Sequence, residues 1–345
     1  MRILYGIQGT GNGHISRSRE ILHHLEALGH DVQVLISGRA SGAAPVLELK
    51  RPLLTRHGLT FRTQGGQIQL WESARDLHVL RAWNELNELD QLIPTPDLVI
   101  TDFEPLSAWW ARRRGLRCLG IGHQYSFLKR VPCPRGHWGS RLVLRRFAPC
   151  DVALGLHWDS FGQAILPPVI PALPEAAETR RENEVLVYLP FESQAAIEAF
   201  LRPLDHLHFL IYGHPDVRHM STSDHMSWRP FDRQAFLTDL SRSAGIICSA
   251  GFELPSEAAH LGCRILVKPL SGQLEQLANA QALVELGLGQ SITRLDPQRV
   301  PAWLEAPAPR ARRWPNVAQH IANWIHQGDL QGVPELARSL WSEMV

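Results

Sequence analysis

The sequence predicts an α/β protein built from two doubly wound, Rossmann-like domains that face each other across a cleft. Three observations predict it. Short apolar runs alternate with segments of helical apolar spacing along most of the chain. A glycine turn follows an apolar run in each half, at Gly9–Gly13 and at Gly251. A stretch with Pro167, Pro168, Pro171 and Pro174 separates the halves. Alternation of this kind builds parallel sheets covered on both faces, with ligands collecting at the carboxyl ends of the strands.

The elements follow in order. Ile3–Ile7 reads as a buried strand, Gly9–His14 as a tight turn, and Ile15–Leu28 as an amphipathic helix ended by Gly29. Val32–Ile36 is the next strand. Residues 42–95 are mixed, with helix expected around 74–93. A strand–helix–strand unit covers Asp97–Ile100, Leu106–Arg114 and Leu116–Ile121. After the prolines, strands are expected at Glu184–Leu189 and His208–Tyr212, and helices at 193–202 and 233–243. Residues 316–326 and 334–344 read as helices. The expected domains are therefore 1–165 and 184–327, joined by a linker at 166–183, with a C-terminal helix in 328–345 packing back on the first domain.

Composition bounds the function. A chain of 345 residues holds two domains, each large enough for its own core. A net charge of +1 argues against a general polyanion binder. The five cysteines (Cys118, Cys133, Cys150, Cys248, Cys263) form no CxxC pair, which fits a reducing compartment without disulfides or a zinc knuckle. No apolar run approaches the ~18–20 residues that span a bilayer. Met1–Gly6 enters a strand directly, unlike a signal peptide, so a cytoplasmic location is expected.

The run from Ile246 to Glu257 carries the most chemistry. It reads as a strand, the turn at Ser249 and Gly251, and a helix with Pro255 in its first turn. Glycine there lets a ligand approach the main chain, and the free amides and dipole of the helix start suit a phosphate. Glu257 is placed to accept from a ribose diol. Gln273, Glu275, Gln276 and Asn279 follow the next strand and suit sugar hydroxyls. Phosphate, ribose and sugar handles in one βαβα stretch imply a nucleotide-sugar site.

The first glycine turn is not a dinucleotide fingerprint. Gly9 and Gly11 fit GxGxxG, but the third position is His14, and Ser37-Gly38-Arg39 replaces the acidic residue after the second strand. Arg39 keeps an NADP site as a weak alternative. No Lys-Ser or Lys-Thr follows the glycines, which excludes a Walker loop. What remains is a turn presenting His14 where the helix begins, a position that favours a neutral imidazole able to act as base. Asp102 ends another strand of the same half and is placed to hold the far imidazole nitrogen, or else to cap the helix that follows it.

At these residues the chain resembles GT-B glycosyltransferases of the MurG-like group, and most closely glycosyltransferase-like proteins with an EQxxNA motif. The resemblance rests on Gly9–His14, on Ser249–Glu257 and on Glu275-Gln276-Leu277-Ala278-Asn279-Ala280. It implies an inverting, metal-independent transfer from a nucleotide diphosphate sugar to a hydroxyl acceptor, with no cofactor. UDP is the expected nucleotide and an N-acetylhexosamine the expected sugar. The implied catalytic pair is His14 and Asp102. The implied donor contacts are Gly11, Gly13, Ser249, Gly251, Phe252, Glu253, Glu257, Gln273, Glu275, Gln276 and Asn279. The first domain would receive the acceptor and the second the donor. Phe252-Glu253 departs from the small or polar residues usual in that loop.

From Pro105 to Cys150 there is no acidic residue, while Arg112, Arg113, Arg114, Arg117, Lys129, Arg130, Arg135, Arg141, Arg145 and Arg146 accumulate among Trp109, Trp110, Phe127 and Trp138. Such segregation implies a basic face, and residues 112–146 are expected to meet an anionic membrane surface or a phosphorylated lipid or polysaccharide acceptor. Ion pairs to Glu85–Asp90 are the competing use. No nucleic-acid module accompanies the charge. Two rival classes stay open: a nucleotide-sugar epimerase using Glu253 and Glu275 as acid and base, and a binding protein with an unused cleft.

Overall fold

A computed structural model describes residues 1–38, 53–58, 63–64, 67–68, 78–134, 138–174, 180–213 and 224–344. Arg39 and Arg135, singled out above, lie outside the described residues.

Two six-stranded parallel sheets organise the chain. The first contains β1 (Arg2–Gln8), β2 (Asp31–Ser37), β3 (Leu54–Arg56), β6 (Leu98–Asp102), β7 (Cys118–Gly122) and β8 (Val152–Gly155), in the order β3-β2-β1-β6-β7-β8. Strands β4 (Thr63–Gln64) and β5 (Gln67–Ile68) form a separate antiparallel pair. The second sheet contains β9 (Arg181–Tyr188), β10 (His208–Tyr212), β11 (Met226–Trp228), β12 (Ser243–Cys248), β13 (Arg264–Val267) and β14 (Gln290–Ser291), in the order β11-β10-β9-β12-β13-β14. Strand order thus reverses beside β1 in one lobe and beside β9 in the other. Crevices open at those reversals.

Burial explains the apolar runs. Every residue of β6, β7 and β12 is buried, as expected for strands covered by helices on both faces. Helices α1 (Asn12–Ala27), α2 (His78–Leu92), α3 (Pro105–Arg114) and α4 (Trp138–Phe147) belong to the first lobe. Helices α5 (Gln194–Leu201), α6 (Arg233–Arg242), α7 (Glu253–Leu261), α8 (Leu274–Glu285) and α9 (Arg299–Glu305) belong to the second. Contact between β1 and α3 is close: a Cβ on Gly6 would lie 2.0 Å from Ser107 Oγ.

The chain ends back on the first lobe. Helix α10 (Val317–His326) packs along α1. His326 Nδ1 lies 3.2 Å from His30 Nε2, and Asn316 Nδ2 lies 3.3 Å from His24 Nε2. Helix α11 (Val333–Ser342) is pinned by Trp341 Nε1 donating to the Ile165 carbonyl at 2.7 Å. The return therefore starts at α10, the first of the two C-terminal helices read from the sequence and ahead of the boundary drawn at residue 327. Its buried stripe of Val317, Ile321 and Ile325 belongs to a core that continues through both lobes.

The basic segment is partly neutralised. Arg113 and Arg114 pair with Asp90 at 2.5 and 3.3 Å, and Arg112, Arg113 and Arg114 lie over the rings of Trp109, Trp83 and Trp110. Arg145 and Arg146 remain exposed beside exposed Val143, with Trp109 on the neighbouring helix α3. Among the described residues no helix is long and apolar enough to cross a membrane.

Overpacking at the β1–α3 contact gives a direct check of this packing. Gly6→Ala is expected to lower unfolding stability by about 3 kcal/mol, read from urea denaturation midpoints.

Candidate active site

The site begins with two chain reversals at the carboxyl edge of the first sheet. Gly11 is extended (φ −148°, ψ 154°) and starts α1 at Asn12, three residues before the sequence placed it. His14 consequently sits in the first helical turn. Strand β6 ends at Asp102, in register with Ile7 of β1. Phe103 follows with φ +52°, a left-handed conformation that non-glycine residues seldom adopt.

Two carboxylates flank that bend and take different tasks. Glu104 caps α3, accepting from the amides of Leu106 at 2.8 Å and Ser107 at 2.6 Å and from Ser37 Oγ at 2.5 Å. This settles the alternative left open for Asp102, which is not the cap. Asp102 Oδ1 accepts from His14 Nδ1 at 2.7 Å and Arg17 Nη2 at 2.5 Å, and Oδ2 accepts from Arg17 Nε and Ser18 Oγ, both at 2.9 Å. Since the carboxylate only accepts, His14 donates from Nδ1, and in the neutral ring Nε2 is then the acceptor. Arg17 Nη2 also lies 3.1 Å from His14 Nδ1, but both are donors and they meet through the shared oxygen.

Electrostatics keep this carboxylate charged. Burial alone would push the Asp102 carboxyl up; the Arg17 guanidinium, and then His14, outweigh it and hold the value at about 2. Arg17 is itself buried to 2 % exposure, and burial works against its charge. Asp102 and Glu253 overcome that opposition and drive its pKa upward. Glu253 comes from the other lobe, at the first position of α7, and pairs with Arg17 Nη1.

The second lobe presents the start of α7. Helix geometry leaves the amides of Phe252, Glu253 and Leu254 without intrahelical acceptors, and Pro255 has no amide to satisfy. The Gly251 amide is used locally, donating to the Ser249 carbonyl at 2.9 Å, and Ser256 N donates to Phe252 O at 3.1 Å. A Cβ on Gly251 would meet nothing within 4 Å, so its backbone faces open space. Gly13 differs: a Cβ there would lie 2.4 Å from Glu253 Oε2, so glycine is what lets the two lobes approach.

Between the lobes lies a cleft of about 430 Å³, lined by Gly11, Gly13 and His14 from the first lobe and by Ser249, Gly251, Phe252, Glu253, Glu257, Gln273, Glu275 and Gln276 from the second. The sequence-derived residues therefore meet, with three differences in detail. Asn279 is absent from the lining: fully buried, it donates to the Ala250 carbonyl at 3.0 Å while its Oδ1 lies 2.6 Å from His123 Nε2. Phe252 turns its ring away to stack on His123, with centroids 4.0 Å apart and 3° between the planes. Glu257 is engaged by Arg233 Nη2 at 2.9 Å, and burial pushes its carboxyl up.

Other lining groups also cross between lobes. Glu275 accepts from Gln124 Nε2 at 3.2 Å, and Arg233 Nη2 donates to Ser16 Oγ at 2.7 Å. Gln276 Oε1 accepts from the Leu270 amide at 2.9 Å, whereas Gln273 Oε1 is buried without a partner among the described residues. Aromatic rings of Tyr188, Phe191, Phe231 and Phe236 complete one wall, with Phe191 and Phe231 about half exposed. Sequence reasoning missed Arg17, Arg233, His123 and Gln124. Arg17 had a usable signal, since it lies three residues after His14 on the same helical face.

Two facing Rossmann-like lobes with a cleft between them form the GT-B fold. A family model for glycosyl transferase family 1 matches residues 1–143 and 158–307, and the chain belongs to that family. Among solved structures, the glycotransferase of kitacinnamycin is similar with a TM-score of 0.65 and 16% identity, over 94% of this chain and 98% of that one. MurG of Acinetobacter baumannii has a TM-score of 0.59 and 16% identity, over 94% and 99%. The glycosyltransferase SnogD of Streptomyces nogalater has a TM-score of 0.57 and 17% identity, over 99% of both chains. No curated protein sequence matches significantly. The protein is a sugar-transferring enzyme.

The charge state of Asp102 carries a stability signature. Its folded value lies below the ordinary carboxylate value, so its contribution is present above about pH 4 and disappears as pH falls toward about 2. Asp102→Asn is expected to cost about 3 kcal/mol near neutral pH, because buried Arg17 loses its partner. Denaturant titrations should show the gap to the native protein closing between those two pH values.

Proposed function

We propose that the enzyme moves a sugar from a UDP-sugar to a hydroxyl acceptor with inversion at the anomeric carbon, His14 serving as general base. The observation that carries this reading is the position of His14: its Nδ1 is held by Asp102, and the residue lines the cleft opposite the start of α7. The acceptor hydroxyl gives its proton to Nε2 as its oxygen attacks the anomeric carbon, and the bond to the diphosphate breaks. Asp102 stabilises the imidazolium that forms. Amides of Phe252, Glu253 and Leu254 meet the charge growing on the diphosphate, which supports a metal-independent departure without any cofactor.

The wall of Tyr188, Phe191, Phe231 and Phe236 offers flat apolar surface to a nucleobase. Glu257 remains the candidate for the ribose, presented together with Arg233. Gln273, with its unpartnered oxygen, and Gln276 are the candidates for sugar hydroxyls. An N-acetylhexosamine is the sugar we propose, by the resemblance to the MurG-like group. The carboxylates an epimerase would use, Glu253 and Glu275, are instead engaged by Arg17 and Gln124. We further propose a cytoplasmic enzyme whose face of Trp109, Val143, Arg145 and Arg146 touches anionic lipid, which would suit a lipid-linked acceptor.

A thermal-shift panel of nucleotide diphosphate sugars tests the donor, with UDP-N-acetylhexosamines expected to raise the melting temperature most and a flat response contradicting the reading. His14→Ala should reduce turnover by about 1,000-fold while UDP affinity, measured by calorimetry, stays within about 3-fold. Lost affinity would make His14 a binding residue. Arg145→Glu/Arg146→Glu should abolish cosedimentation with vesicles containing anionic lipid, and equal sedimentation with neutral vesicles would remove the membrane assignment.

A further inference from the structure

The dyad of His14 and Asp102 is incomplete as a description of the base, because the residue with most bonds to Asp102 is Arg17. Its Nε and Nη2 take one oxygen each in a fork, and its Nη1 reaches Glu253 on the opposite lobe. The guanidinium thus spans from the end of β6 to the start of α7 while almost wholly shielded from water. Tyr5 and Tyr125 also lie near Asp102, and burial keeps both phenols neutral, so neither brings a charge. A carboxyl group at zero exposure retains its proton unless a cation is supplied. A protonated Asp102 would neither support an imidazolium nor require the Nδ1–H form of His14.

We propose that Arg17 is a positioning residue for His14: it keeps Asp102 an acceptor, so that the imidazole holds its proton on Nδ1 and leaves Nε2 bare, while Glu253 of the second lobe holds the guanidinium in place. The inference deepens the reading of His14 as base and rests on it. Charge balance agrees. With His14 neutral, Arg17 faces two carboxylates, and the single proton taken from an acceptor brings the cluster of His14, Arg17, Asp102 and Glu253 to neutrality.

The test uses the full-length chain labelled with ¹⁵N-histidine and reads the His14 tautomer by NMR, assigned through His14→Gln. The native protein is expected to show the Nδ1–H form. Arg17→Gln should mix the tautomers and lower kcat by about 100-fold, with the KM for UDP-sugar within about 3-fold. Arg17→Lys should regain part of both, since it returns the charge without the fork. Glu253→Gln should keep the tautomer, lower kcat by about 10-fold, and add nothing to Arg17→Gln. An unchanged tautomer in Arg17→Gln, or a loss confined to KM, overturns the proposal. Should Arg17→Gln fail to fold by circular dichroism, Arg17→Lys and Glu253→Gln decide it: native kcat in both overturns it. If the native chain turns over no UDP-sugar, the proposed function fails, and the tautomer comparison still judges Arg17.

Discussion

A carboxylate without access to water must find its hydrogen-bond donors inside the protein, and Asp102 finds all four on helix α1. His14, Arg17 and Ser18 supply them within a little over one turn. That requirement fixes the helix against the end of β6 and orients the imidazole toward the cleft. It also forces Arg17 into the interior, where a second carboxylate, Glu253, answers its remaining donor. One buried charge therefore links the His14 imidazole, helix α1 and, through Arg17, the facing lobe.

The cleft follows from topology before any side chain is considered. Both sheets reverse strand order beside their first strand, and each reversal opens toward the other lobe. Small residues then set the separation. Gly13 lets Glu253 come close, and Gly251 leaves its own backbone open to a ligand. Around this opening the lobes are joined by buried contacts: His123 with Asn279, Trp158 Nε1 donating to Ser256 Oγ at 2.7 Å, and the stack of Phe252 on His123. The Phe252 ring and the Asn279 side chain thus help seat one lobe on the other.

Much of this was legible in the sequence, and the reasons are specific. Parallel strands buried on both faces give unmistakable apolar runs, so the main strands and the two-lobed architecture could be read. His14 and Asp102 were found because each ends a recognisable strand or turn in one half. Short edge strands such as β3, β11 and β14 carry two or three residues and no readable period. Arg17 escaped because an arginine on an amphipathic helix reads as solvated, and only a partner distant in sequence explains its burial. The apolar stripe of α10 announced a buried face without saying which lobe it would cover. In the basic segment the sequence named Glu85–Asp90 as competing partners, and Asp90 does engage Arg113 and Arg114, with three tryptophans beneath the guanidinium groups.

The central claim is spatial: an anionic diphosphate sits on the α7 amides while the bare nitrogen of His14 faces the sugar it carries. A crystal structure with UDP bound measures this most directly. The account predicts the β-phosphate oxygens within hydrogen-bonding distance of the Phe252, Glu253 or Leu254 amides, with His14 Nε2 facing the space beyond the terminal phosphate. UDP seated away from α7, or with its terminal phosphate pointing away from His14, would contradict it.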